Sequence, residues 1–213
     1  MRRRRVVAFI DGFNLYHAID NLKVPAFKWL DLRKLSGIFV HPYLEELTNV
    51  FNFSTIASHR DKASQIRQRT YIRALELKGV KTILGQFKRK DRHCSNCSFR
   101  HVGHEEKETD VNIALSLIDF AYQNMYDRAL LVTNDSDQAP SIRKVLERFP
   151  RKKITVIIPP HTRECNELIK AASNKAKITG NHLERSLLPE VVSDASGLIL
   201  IRRPKEYEPM GVR

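Results

Sequence analysis

The chain has 213 residues, 42% of them hydrophobic, with 37 Lys and Arg against 24 Asp and Glu and a formal net charge of +13. That length and apolar content suffice for one α/β domain with a packed core, and the basic balance points to a polyanionic partner. Cys94, Cys97 and Cys165 make no disulfide framework, so the expected compartment is the reducing cytoplasm; the five apolar residues between Arg5 and Asp11 are too few for the ~7–15 of a signal peptide or the ~20 of a membrane span, so no membrane partner is expected.

Residues 6–10 (VVAFI) form an unbroken apolar run, as in a strand buried on both faces, and end on Asp11. Arg2 to Arg5 read as its solvated flank, within reach of phosphates. Residues 13–22 continue at helical spacing, with Phe13, Tyr16, Ile19 and Leu22 on one face. Asp31 is a candidate N-cap for a helix over 32–39, and Pro42 opens a further helical turn. Residues 49–57 are β-rich, 62–78 make a long basic helix stopped by Gly79, and 80–87 make the next strand. Residues 88–107 lack periodicity and read as an inserted loop. Thr109 then caps a helix to about residue 124, buried along Ile113, Leu117, Phe120 and Ala121. A strand over 128–133, a helix over 139–149 with Pro140 in its first turn, a strand over 154–158 and a helix over 163–172 complete the alternation. Strand–helix alternation predicts an α/β fold with a central, mostly parallel sheet between helix layers. Residues 1–187 form the domain, with the Cys/His-rich insertion at 88–107, and 188–213 a C-terminal extension whose last ten or so residues read as a loose tail.

The chemistry lies where the apolar runs end. Asp11 follows the first strand, Asp135 and Asp137 follow the strand at 128–133, and Asp110 precedes the helix that Thr109 opens. Strand C-termini and helix N-termini share the ligand-binding edge of a parallel sheet. If the two strands are neighbours, four carboxylates converge there. Two unit charges ~4 Å apart repel by about 4 kcal/mol at an intermediate dielectric, and a hard divalent cation relieves that cost. Mg²⁺ or Mn²⁺ suits such oxygen donors. Asn14, one turn into the helix after Asp11, can orient a water or a phosphate without adding charge, and Thr133 can add a hydroxyl. The same residues also read as ordinary features: an Asx turn with an N-cap at Asp11, a capped β-to-α loop at 134–137, and a first-turn acid at Asp110.

The segments 9–16 (FIDGFNLY), 107–114 (KETDVNIA) and 132–137 (VTNDSD) resemble, in order and at plausible spacing, the three motifs of the NYN family, a branch of the PIN-like nucleases. The resemblance covers about residues 5–175. It implies a three-layer α/β/α PIN-like fold and metal-dependent cleavage of RNA. Asp11, Asp110, Asp135 and Asp137 would be the metal-binding acids, with Asn14 in support. Two positions depart from the family pattern: Asn134 stands where a glycine is common, and Gln138 where an aromatic is common.

Cys94, Cys97, His101 and His104 have the residue types of a structural Zn²⁺ site, although the second cysteine and the histidines are closely spaced; a basic loop with reduced thiols is the alternative. Lys62, Arg67, Arg69, Arg73, Arg143, Lys144, Arg148, Arg151, Lys152 and Lys153 are candidate phosphate contacts, and Tyr16 and His17 could stack on a base. A crevice at a sheet edge favours single-stranded RNA over duplex. A catalytically weak RNA-binding or regulatory module of the same fold is the alternative function. A phosphatase-like hydrolase would need a second acid two residues after Asp11, where Phe13 stands. The apolar residues 198–201 could pair with a second copy's sheet edge, giving a homodimer.

Overall fold

The apolar run 6–10 becomes the centre of the sheet. The protein is described here by a computed structural model covering residues 2–93, 100–194 and 196–209. In chain order the elements are β1 (Arg4–Asp11), α1 (Gly12–Asp20), α2 (Leu32–Gly37), β2 (Glu45–Ser54), α3 (Lys62–Leu77), β3 (Val80–Leu84), β4 (Gln86–His93), β5 (Arg100–Lys107), α4 (Thr109–Tyr122), β6 (Arg128–Val132), α5 (Ala139–Arg148), β7 (Lys153–Ile158), α6 (Asn166–Ala171), β8 (Asn174–Lys177), α7 (Gly180–Glu184), β9 (Val191–Ser193) and β10 (Leu200–Arg202). The main sheet runs β3-β2-β1-β6-β7-β8, parallel throughout. Successive strand residues point to opposite faces, so a strand covered on both sides must be apolar at every position. Val6, Ala8 and Ile10 accordingly join a core with Leu15, Ile19, Leu32, Leu35 and Leu75, on the side of α1, α2 and α3. Val7 and Phe9 join the opposite core with Ile113, Leu117, Ile142 and Leu168, from α4, α5 and α6. The architecture is the three-layer α/β/α arrangement of the PIN-like fold.

Several local expectations change. Residues 42–44 are a turn rather than a helical start, and β2 already begins at Glu45. The buried residues of α1 are Leu15, Ala18 and Ile19, while Phe13 and Tyr16 are only half-buried. The strand expected over 80–87 is two strands in different sheets: β3 closes the edge of the main sheet, and β4 leaves it to pair antiparallel with β5. Gly85 is the divide. A Cβ there would stand 2.7 Å from the Lys107 carbonyl and 2.9 Å from the Thr109 hydroxyl, so glycine is what lets the hairpin base close against α4. Residues 88–93 and 100–107 are therefore paired antiparallel strands rather than unpatterned loop.

The C-terminal extension also packs, through residues up to Tyr207. The Trp29 indole N–H donates to the Pro189 carbonyl (2.8 Å), and Trp29 shares a small core with Ala74, Leu188 and Val192 against which Ile201 and Tyr207 rest. Residues 205–207 form a 3₁₀ turn, held by the Arg67–Glu206 ion pair (2.8 Å). The tail reading thus fails for this segment, because its apolar residues find a partner surface on α3 and around Trp29. At the opposite edge of the sheet from Asp11, the arginines of β1 are structural. Arg5 pairs with Asp127 (2.8 Å), which holds that carboxyl below its ordinary range, and Arg4 approaches Glu45. Arg128 clasps buried Glu45 in two bonds (2.9 and 2.6 Å) across β1 and also donates to the Phe39 carbonyl.

Burial raises the pKa of Glu45, but its bonds from Arg128 and the His41 N–H outweigh that, and the net shift is downward. A carboxyl lowered in the folded state adds stability above its unfolded pKa and loses it as pH falls through the folded value. Arg128→Ala, which strands a buried carboxylate, should cost about 3 kcal/mol in urea unfolding at pH 7. The stability gap between the native chain and Glu45→Gln should narrow as pH drops below the ordinary glutamate value of 4.5. A gap that stays constant to pH 3 would contradict the ion-pair account.

Candidate active site

In this strand order the sequence of strands runs outward in opposite directions from β1 and β6, the switch point at which doubly wound sheets open a crevice at their C-terminal edge. Asp11 ends β1 there and Thr133 follows β6 directly. Asp11 is 4% exposed, and both of its oxygens are engaged: Oδ1 accepts the Asn14 N–H (2.9 Å), capping α1, and Oδ2 accepts the Thr133 hydroxyl (2.9 Å). The Thr133 oxygen in turn accepts the Asp135 N–H (3.1 Å), and Asp135 accepts the Asp137 N–H (3.0 Å), capping the 3₁₀ turn Ser136–Gln138. The Asn14 side-chain oxygen Oδ1 accepts the Asn134 N–H (3.1 Å). Asn14 therefore pins the two strand ends together, a positioning job in addition to the solvent-facing one expected from sequence.

The two departures from the family pattern tie further loops to the same edge. Asn134 donates to the Arg163 carbonyl (2.8 Å) and accepts the Cys165 N–H (3.1 Å), holding the segment before α6. Buried Gln138 donates to the Asp110 carbonyl (3.1 Å) and so draws the start of α4 to the turn after β6. Asp110 lies exposed in the first turn of α4. The N-cap of α4 is Glu108, not Thr109: Glu108 takes a left-handed conformation (φ 80°), while Thr109 is buried against the Thr55 hydroxyl (3.1 Å). The Gln86 amide also contacts the Glu108 carboxylate.

One hydrogen-bonded network thus joins Asp11, Asn14, Asp135 and Asp137, and Gln138 brings in the backbone of Asp110. Among the described residues, however, no three His, Cys, Asp or Glu side chains gather closely enough to share an ion. The donors are nonetheless of a kind that suits Mg²⁺, which keeps several waters and takes only one or two carboxylates beside the phosphate oxygens of a substrate. Cys94 and Cys97 lie outside the described residues. His101 and His104 fall on β5, in register with Arg92 and Arg89.

Among the basic candidates, Lys152 is not a surface phosphate contact. It is 8% exposed, with its ammonium donating to the Tyr126 carbonyl (2.7 Å) and to Asn124 (3.0 Å), and burial lowers its pKa. Arg67 is committed to Glu206. Cys165 packs partly buried beside the core, as a small structural residue. Sequence reading missed Asn52 and Thr55. The available signal was a polar residue interrupting the apolar run of β2, whose neighbours Phe51 and Phe53 are buried.

Thr133→Val keeps the volume but leaves Asp11 and the Asp135 N–H each short of a partner, and should cost ~1–3 kcal/mol. Glu108→Gly should stabilise the chain by ~1 kcal/mol, because glycine enters the left-handed region without the Cβ penalty. Thermal and urea melts of the purified variants check both; a destabilised Glu108→Gly would mean that the contact with Gln86 outweighs the strain.

Comparison with known proteins gives this site a family. The NYN domain pattern matches residues 5–178, and such domains are of the PIN-like nuclease type. A protein of unknown function from Vibrio parahaemolyticus, solved by crystallography, superposes with a TM-score of 0.61 at 21% identity, covering 88% of this chain and all of that one. A 6-hydroxy-3-succinoylpyridine 3-monooxygenase, HspA, of Pseudomonas putida is 27% identical over 227 residues, spanning 88% of this chain and 71% of that protein. With three motifs in order on the predicted edge and a match over most of its length, the chain belongs to the NYN domain family.

Proposed function

We propose that this protein is a metal-dependent endoribonuclease acting on single-stranded RNA. The observation that carries the reading is the carboxylate of Asp11 at the switch point, bonded to Thr133 and flanked by Asp135 and Asp137 on the adjoining strand end. Asp11, Asp110, Asp135 and Asp137 would hold Mg²⁺ or Mn²⁺. Bound there, the ion supplies an activated water and neutralises phosphate oxygens. The chain's own residues do the positioning. Thr133 and the Asn14 N–H fix the Asp11 carboxylate, and Gln138 fixes the start of α4. The net charge of +13 favours capture of the polyanion. A narrow crevice admits a flexible strand more readily than a duplex.

The pyridine monooxygenase relative motivates a second reading, in which the crevice acts on a small heteroaromatic ring. Its test is oxygen uptake with 6-hydroxy-3-succinoylpyridine and a two-electron donor.

The deciding assay is cleavage of labelled single-stranded RNA with Mn²⁺, Mg²⁺ or EDTA. Cleavage should need the ion, and Asp11→Asn should lower it roughly 100-fold or more while the melting temperature stays near that of the native chain. Salt-sensitive binding without cleavage would favour the catalytically weak RNA-binding module. Full activity in a folded Asp11→Asn would remove the nuclease assignment.

A further inference from the structure

Beside Asp11, on the α1 and α3 side of the sheet, lies a cavity of about 330 Å³. That is the size of a small-ligand site. Its walls are unusually aromatic: Phe13 and Tyr16 from α1, Phe87 from β4, and Tyr207 from the C-terminal turn. Phe13 and Phe87 meet edge-on, 6.1 Å apart. At the sheet side stands Asn52, 4% exposed and lining the cavity. Among the described residues nothing hydrogen-bonds its amide. Gly12 makes room for that amide, since a Cβ at Gly12 would stand 2.6 Å from Asn52 Oδ1. At the mouth, Arg60 is exposed and has no acidic partner among the described residues.

A side-chain amide facing a cavity offers a donor and an acceptor side by side, the complement of a nucleobase edge. Aromatic walls supply stacking for any base. A cation at the mouth suits phosphate. Gly12 lines the cavity and follows Asp11 directly, so a base held here carries its own phosphate toward the carboxylate edge.

We propose that this cavity is a nucleobase subsite, which takes one base of the bound strand, reads its edge with Asn52 and stacks it among Phe13, Tyr16 and Tyr207. The inference rests on the ribonuclease reading above and adds to it a determinant of sequence preference. The C-terminal turn is then part of substrate binding, since Tyr207 closes the cavity and Arg67–Glu206 holds the turn in place.

The test is calorimetric titration of the full chain with the four ribonucleoside 5′-monophosphates, ribose 5-phosphate and 6-hydroxy-3-succinoylpyridine, with RNA cleavage measured on the same preparations. At least one nucleotide should bind about tenfold more tightly than ribose 5-phosphate. Asn52→Leu should weaken that nucleotide about tenfold and flatten the preference among bases. Tyr207→Ala, an independent variant should Asn52→Leu fail to fold, should weaken all bases alike. Ribose 5-phosphate binding as tightly as the nucleotides overturns the subsite, as does binding of the pyridine acid alone. Failure of all four nucleotides to bind a preparation that still cleaves RNA overturns the subsite and leaves the ribonuclease standing. Base binding without cleavage keeps the subsite and removes the ribonuclease.

Discussion

The buried hydroxyl of Thr133 joins the two halves of the molecule. It donates to Asp11 at the end of β1 and accepts from Asp135 on the far side of the switch point. A carboxylate only 4% exposed is tolerable when hydrogen bonds and a helix N-terminus satisfy its charge, and Asp11 has both. The candidate site is thus assembled by polar contacts between loops that begin more than a hundred residues apart in sequence. Asn14, Asn134 and Gln138 extend the same arrangement to α1, α6 and α4.

The opposite edge is held by a different device. Arg128 and Glu45 reach across β1 from the strands on either side, and Arg5 ties the start of β1 to Asp127. Between these two polar borders the central strands are apolar on both faces. Phe9 alone touches Phe51, Phe53, Phe120 and Tyr126 at centroid distances of 5.8 to 6.3 Å. The borders fix register and leave the core free of unpaired charge. A one-residue slip of β1 would turn its alternating side chains to the wrong faces and would also move Asp11 away from Thr133.

The hairpin and the C-terminal segment are additions to this frame, and both reach the site. β4 and β5 leave the sheet at Gly85 and return at Lys107, just before Asp110. The C-terminal segment passes over Trp29 and α3 and brings Tyr207 to the cavity. If the proposed subsite holds, substrate contacts would come from elements outside the alternating α/β pattern, as expected when a rigid sheet carries variable loops.

Much of the architecture was legible from local signals. The apolar runs at 6–10 and 129–132, and the run at 154–158 broken only by Thr155, mark strands covered on both faces, and the acids after the first two marked the edge, because a doubly buried strand admits charge only where it emerges. Helix positions followed from the 3.6-residue spacing of α4 and from Pro140 in the first turn of α5. Other features depend on partners distant in sequence. The α1 residues Phe13 and Tyr16 have the spacing of core residues, yet they line a cavity because α3 and the C-terminal turn stand off from them. Lys152 reads as a surface cation until Tyr126 and Asn124 are brought to it. The split at Gly85, the cap at Glu108 and the engagement of Asn134 and Gln138 likewise depend on contacts made only after the chain folds. Sequence alone determined the layered α/β order and which residue types sit at its edge, since both follow from hydrophobic periodicity. Tertiary structure decided which of those polar groups are spent on one another and which, like the Asn52 amide, face open space.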